Sequence, residues 1–181
     1  VLAVPTGLNP SQRRDWMAMA AAGDWDAVIM PQTVFERVEI DPAKRAEWLK
    51  EQLTELDELI RDSEAGMSVK RVEAAKKRVQ AAYEKATRVT DPGITFEETG
   101  IDYLFVDEAH HYKNLARTSD LGELACQGSN RATDLDFKLR ALRERKMLSA
   151  QRAGVATSTY LPAVATFATG TPVSNNMSEM W

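Results

Sequence analysis

The residues with the most chemical potential stand together at positions 107–111, where Asp107 and Glu108 are followed, after one alanine, by His110 and His111. Adjacent carboxylates can hold a hydrated divalent cation, although Mg²⁺ gives up its waters reluctantly and prefers phosphate oxygens among its ligands. A carboxylate beside two histidines also suggests a metal-dependent hydrolase using Asp107, His110 and His111. That spacing is poor, because adjacent histidines on a loop rarely converge on one metal, and these 2 are the only histidines of the chain. A second cluster, Thr169-Gly170-Thr171-Pro172, lies far downstream and offers hydroxyls and backbone freedom rather than acids.

Both clusters need elements to carry them. Tyr103, Leu104, Phe105 and Val106 favour β-structure and follow Gly100, which predicts a short strand covered by helices on both faces. Asp107 and Glu108 then fall at its C-terminal end, where open α/β sheets place their ligands. The structural alternative is a strand leading into a turn that is acidic without consequence. A second apolar run, residues 164–168, ends at Thr169. Between the two, residues 133–152 read as a helix with Leu135, Leu139, Leu142 and Met147 on one side and Arg140, Arg143, Arg145 and Lys146 opposite. Its expected job is a right-handed crossover joining parallel strands. Residues 115–129 have two glycines and no clear period, and read as a surface loop.

The two clusters together resemble motifs II and III of the superfamily 2 helicases and translocases, most closely the SNF2-like branch. Asp107, Glu108, Ala109, His110, Lys113 and Asn114 fit the first motif; Thr169, Gly170, Thr171, Pro172, Asn175, Asn176, Glu179 and Trp181 fit the second. The resemblance implies an α/β fold: part of a RecA-like (P-loop NTPase) parallel sheet with flanking helices. It also implies ATP and Mg²⁺ as cofactors and DNA, in duplex form, as partner. Asp107 would then be the Mg²⁺ carboxylate, acting through water, and Glu108 would orient the attacking water. His110 would couple the nucleotide site to the third motif. Thr169, Gly170, Thr171, Asn175 and Asn176 would report nucleotide state to the nucleic-acid groove. His111 lies outside the pattern.

The first 40 residues match more loosely. Residues 1–4 suit a short strand, and residues 5–10 a turn. A helix capped by Ser11 would bury Trp16, Met17, Ala20 and Ala21 and end at Gly23. Residues 26–30, Asp-Ala-Val-Ile-Met, suit a second buried strand. In the family a similar strand leads into a polar turn near the nucleic-acid path, here Pro31, Gln32 and Thr33; as structure alone, these residues are a strand exit and a helix cap. The run Gly23-Asp24-Trp25-Asp26-Ala27-Val28-Ile29 is similar to large bacterial, phage and plasmid proteins that join such a helicase to DNA-methylase modules.

One departure matters. No G-x-x-x-x-G-K-[ST] phosphate loop occurs before Ile101. The expectation is therefore a piece of a larger protein, covering the later part of a first lobe and partnered by the rest of the helicase core. Alone, it should fold but neither bind ATP tightly nor hydrolyse it.

Asp41–Pro92 differs in kind. Ala46, Leu49, Leu53, Leu56 and Ile60 form one apolar stripe, and Val72, Ala75, Val79, Ala82, Ala86 and Val89 form another. Each stripe has the other as its nearest apolar partner, which predicts an antiparallel, coiled-coil-like helical hairpin inserted between residues 1–40 and 93–181 of the sheet domain. Asp41 and Pro42 read as its cap and first-turn pair. The first arm is mainly acidic. The second carries Lys70, Arg71, Lys76, Lys77, Arg78, Lys85 and Arg88, which suits either phosphate contacts or simple solubilisation.

Composition limits the remaining choices. The net charge of −4 argues against a uniformly basic surface but leaves room for a local basic stripe. The single cysteine, Cys126, excludes a disulfide framework or a cysteine-based zinc ribbon. No apolar run approaches the ~20 residues that span a bilayer, so the expectation is a cytoplasmic protein without a membrane partner. A non-catalytic interaction module, with the hairpin on an α/β scaffold, stands as the alternative to an ATPase.

Overall fold

The computed structural model describes residues 1–62, 69–88, 93–113, 115, 128–155 and 161–171. These form two compact units, one built from Val1–Ile40, Gly93–Ala109 and Asp134–Thr169 and the other containing Asp41–Pro92.

The first unit contains two strand–helix–strand arrangements. In the first, β1 (Leu2–Ala3) pairs in parallel with β2 (Val28–Ile29), Leu2 standing opposite Val28. The connecting helix α1 (Pro10–Ala22) begins at Asn9 rather than Ser11. The Asn9 side chain accepts from the Gln12 N–H at 2.9 Å while the Gln12 side chain accepts from the Asn9 N–H at 3.0 Å. Pro10 then occupies the first helical position, where its missing N–H costs nothing. Met17 and Ala20 are buried as the apolar pattern requires. Gly23 ends α1 in an extended conformation, for reasons of space rather than handedness. A Cβ there would lie 2.2 Å from Nε1 of Trp25, whose indole N–H caps the Met19 carbonyl at 3.0 Å.

In the second arrangement, β3 (Leu104–Val106) pairs in parallel with β4 (Ala165–Phe167), with Leu104 opposite Ala165 and Val106 opposite Phe167. Helix α5 (Asn130–Arg152) lies between them in sequence and begins three residues before the expected start at Thr133. Ser129 accounts for the earlier start: its Oγ accepts from the Ala132 N–H at 3.1 Å. Leu135, Leu139 and Leu142 are buried as expected, and so are Phe137, Lys138 and Ala141. The basic side chains are not a purely solvated face. Arg145 donates to the Ile101 carbonyl, and Lys146 Nζ donates to the Ala163 carbonyl at 3.1 Å, so both tie down the segments entering β3 and β4.

The strands are thus the parallel neighbours expected of a crossover, but among the described residues they form two separate two-stranded sheets and not one larger one. Nor is β3 covered on both faces. Leu104 is 8% exposed and its neighbour Phe105 is 83% exposed, because successive side chains point to opposite faces and only one face is covered. On the open face the Tyr103 ring lies 5.2 Å from that of Phe105, and its hydroxyl is 2.9 Å from Thr166 Oγ1. The same correction applies to β2, where Ile29 is exposed.

The second unit is dominated by α3 (Pro42–Asp62) and α4 (Val69–Thr87), which pack along one another. Asp41 caps α3 as expected, its Oδ1 accepting from the Ala43 N–H at 2.9 Å. Leu49 and Leu56 on α3 and Val72 and Ala86 on α4 are buried from the two stripes, with Trp48 in addition. Lys76 pairs with Asp57 across the two arms.

Candidate functional site

The acids stand where the sequence places them, at the C-terminal tip of β3. Both side chains are exposed. The turn they form is constrained through a single peptide unit, that joining Asp107 to Glu108. Its N–H, on Glu108, donates to Asp107 Oδ1 at 2.9 Å. Its carbonyl, on Asp107, accepts from Gln32 Nε2 at 2.8 Å. Glu108 itself sits at φ +50°, alone among the described non-glycine residues in having a positive φ. Side chains beyond glycine, asparagine and aspartate adopt that region reluctantly, and cases tend to cluster at functional sites.

The tip of β4 is joined to this turn by backbone. The Ala168 N–H donates to the Val106 carbonyl and the Ala109 N–H donates to the Ala168 carbonyl, both at 2.9 Å. Residues 107–109 are therefore held alongside Ala168 and Thr169, and the two clusters, whose first residues Asp107 and Thr169 are 62 positions apart in sequence, become neighbouring strand ends. Gly170 and Thr171 follow directly along the chain. Asn175 and Asn176, like Asn114, Pro172, Glu179 and Trp181, lie outside the described residues. His110 and His111 continue the turn after Ala109 as a short 3₁₀ segment, Ala109–Tyr112, with ring centroids 4.2 Å apart.

Chemically, the arrangement presents an exposed carboxylate, Asp107, with one oxygen engaged by its own turn and Oδ2 without a hydrogen bond among the described residues. That suits a hydrated Mg²⁺, which commonly takes one carboxylate and several waters. Among the described residues no three His, Cys, Asp or Glu side chains are placed to hold a metal, so the hydrolase reading with Asp107, His110 and His111 gains no support.

Gln32 is the participant whose role sequence reasoning missed. It opens α2 (Gln32–Phe35), the turn after β2, and its amide reaches the acid turn across 75 residues of sequence. A polar residue after a strand carries no local signal for such a contact. Lys138 was also missed, although its i,i+4 spacing from Asp134 is one at which a helix can form an ion pair.

Among the described residues, no helix is long and apolar enough to cross a membrane. No curated protein and no solved structure matches the chain. A family model described as a probable helicase domain matches residues 3–181. With that match spanning nearly the whole chain, and with an acid turn and a Thr-Gly-Thr loop on adjacent parallel strands, the protein belongs to the probable helicase domain family.

Proposed function

We propose that the chain carries the acid end of the ATP-hydrolysing site of an ATP-dependent DNA helicase or translocase of the SNF2-like kind. Asp107 holds Mg²⁺ through water, Glu108 orients the water that attacks the terminal phosphate, and His110 couples this site to the loop after β4. Thr169, Gly170 and Thr171, with Asn175 and Asn176, relay nucleotide state towards nucleic acid. The metal supplies charge neutralisation on the phosphates when bound. The observation that carries this reading is the pair of backbone hydrogen bonds that ties the Asp107–Glu108 turn to the end of β4. A site that couples nucleotide chemistry to a second loop needs a connection of this kind.

The RecA-like assignment rests on the parallel β3–α5–β4 crossover with acids at the strand tip, the position at which open α/β sheets bind ligands. The reading also calls for a phosphate cradle, for which these 181 residues hold no G-x-x-x-x-G-K-[ST] sequence, and for an arginine worth about 10³ to 10⁵ in rate in related phosphoryl-transfer systems. The surface that suits DNA phosphates is α4, where Lys70, Lys77, Arg78 and Lys85 are exposed and make no ion pair among the described residues. Lys76 of this arm pairs with Asp57 of α3.

The test is phosphate release from ATP by the intact protein, with and without duplex DNA, beside the same assay on these 181 residues alone. DNA-stimulated turnover by the intact protein and none by the isolated chain is the expected pattern. An intact protein that binds DNA but does not turn over ATP would overturn the assignment in favour of a non-catalytic module.

A further inference from the structure

The single helical turn α2 is held at both ends by groups distant in sequence. At its first residue, Gln32 Nε2 donates to the Asp107 carbonyl at 2.8 Å. At its last, the Phe35 carbonyl accepts from Lys138 Nζ at 2.6 Å. Lys138 is 0% exposed and is paired at 2.6 Å with Asp134 Oδ2, one turn earlier on α5. Its ammonium also lies 4.1 Å from the centroid of the Phe35 ring, which meets the Phe96 ring edge-on at 6.1 Å.

A four-residue turn does not persist by its own hydrogen bonds, since helix nucleation is unfavourable and tertiary contacts must supply the difference. Burying an ammonium is also a poor way to gain stability, because well-packed apolar residues of similar volume often serve as well. What the Asp134–Lys138 pair adds is a directional donor that fixes the Phe35 carbonyl. With that end fixed, the other end of α2 places the Gln32 amide against the acid turn. There it holds the carbonyl of the same peptide whose N–H is held by Asp107 Oδ1. Pinning both polar atoms fixes the orientation of the peptide plane. It thereby keeps Glu108 at φ +50° against its preference for negative φ.

We propose that Lys138 is a positioning residue for the Asp107–Glu108 turn, acting through α2 and Gln32. The consequence for catalysis rests on the ATP-hydrolysis reading above; the structural link does not. If α2 drifts, the Asp107–Glu108 peptide is free to rotate and the Glu108 carboxylate leaves its set direction.

The test replaces the charge pair by an apolar one, Asp134→Leu with Lys138→Met, which avoids leaving a single buried charge. NMR of the 181-residue chain reads the Glu108 amide shift and its HN–Hα coupling, which reports φ directly. The expected result is a changed Glu108 coupling with the amides of Ala165–Phe167 in place. A Glu108 signal that superimposes on the wild type in the folded variant would overturn the proposal. Should that variant not fold, Gln32→Ala, at a half-buried position, reads the link in reverse: the Phe35 carbonyl ¹³C and Lys138 ¹⁵Nζ resonances should move, and unmoved resonances would overturn it. In the intact protein the folded double variant should lose roughly 10- to 100-fold in kcat for ATP, as misplacement near a reacting group does, with KM for ATP changed less than about threefold. A wild-type protein without ATPase activity would defeat the functional reading while leaving the NMR outcome to decide the link.

Discussion

The α3–α4 pair and the strand-bearing unit are stabilised by different kinds of contact. In the helical pair, residues close in sequence build each stripe, the stripes face one another, and the Lys76–Asp57 ion pair across the arms is exposed. In the strand unit the decisive contacts are long-range and partly polar, with Gln32 reaching Asp107 over 75 positions and Lys138 reaching Phe35 over 103. The first arrangement leaves Lys70, Lys77, Arg78 and Lys85 exposed. The second fixes a turn in a conformation its residues would not choose alone, which is what a site requires.

The comparison can be broken at several points. The largest stability effect is expected within the strand unit, where Leu104→Ala should cost about 2 to 5 kcal/mol by removing a buried side chain. The adjacent Phe105→Ser, on the open face, should cost within about 0.5 kcal/mol. Denaturant unfolding of both would measure the contrast; equal losses would mean that both faces of β3 are packed. Next, removal of residues 42–90 with a short Gly-Ser link should leave cooperative unfolding of the strand unit intact, read by near-UV circular dichroism. Loss of the transition would show that the two units share one core.

Gly23→Ala should cost about 1 kcal/mol or somewhat more, as overpacking does, because the new methyl displaces the Trp25 indole from the Met19 carbonyl. Trp25 fluorescence should shift with it, and an unchanged spectrum would remove the steric explanation. Changing Lys70, Lys77 and Lys85 to Gln should leave stability nearly unchanged while reducing the salt slope of duplex DNA binding by roughly 3, about one per lost phosphate contact. An unaltered slope would return α4 to a solubilising role. The smallest effect belongs to Lys76→Ala, at about 0.2 to 1 kcal/mol, since both partners are over one-third exposed.

What was legible in the sequence follows the same division. The α3 and α4 stripes, the Asp41 cap and the α5 apolar face are local periodicities, and the structure has them. The parallel pairing of β3 with β4 was also accessible, since a helix-length spacer between two short apolar runs permits little else. Coverage of the strands was not. Four β-favouring residues in a row read as doubly buried, whereas Phe105 lies open, because local composition does not record which face acquires a partner. The Ser11 cap lost to Asn9 because the reciprocal Asn9–Gln12 bonds satisfy two orphan N–H groups instead of one. At the site, the acids were visible as residue types at a strand end, but the groups that orient them were not, since Gln32 and Lys138 act through contacts that no sequence window spans.

The central claim is that the Asp107–Glu108 turn is the acid end of an ATP-hydrolysing site, with Glu108 acting on the water. The most direct measurement is paired calorimetric ATP binding and phosphate release for Glu108→Gln in the intact protein, with duplex DNA present. The prediction is loss of turnover by about 10² to 10⁴, the range for removing a positioned base, with ATP affinity within a few-fold of wild type. Wild-type turnover by Glu108→Gln would contradict the account.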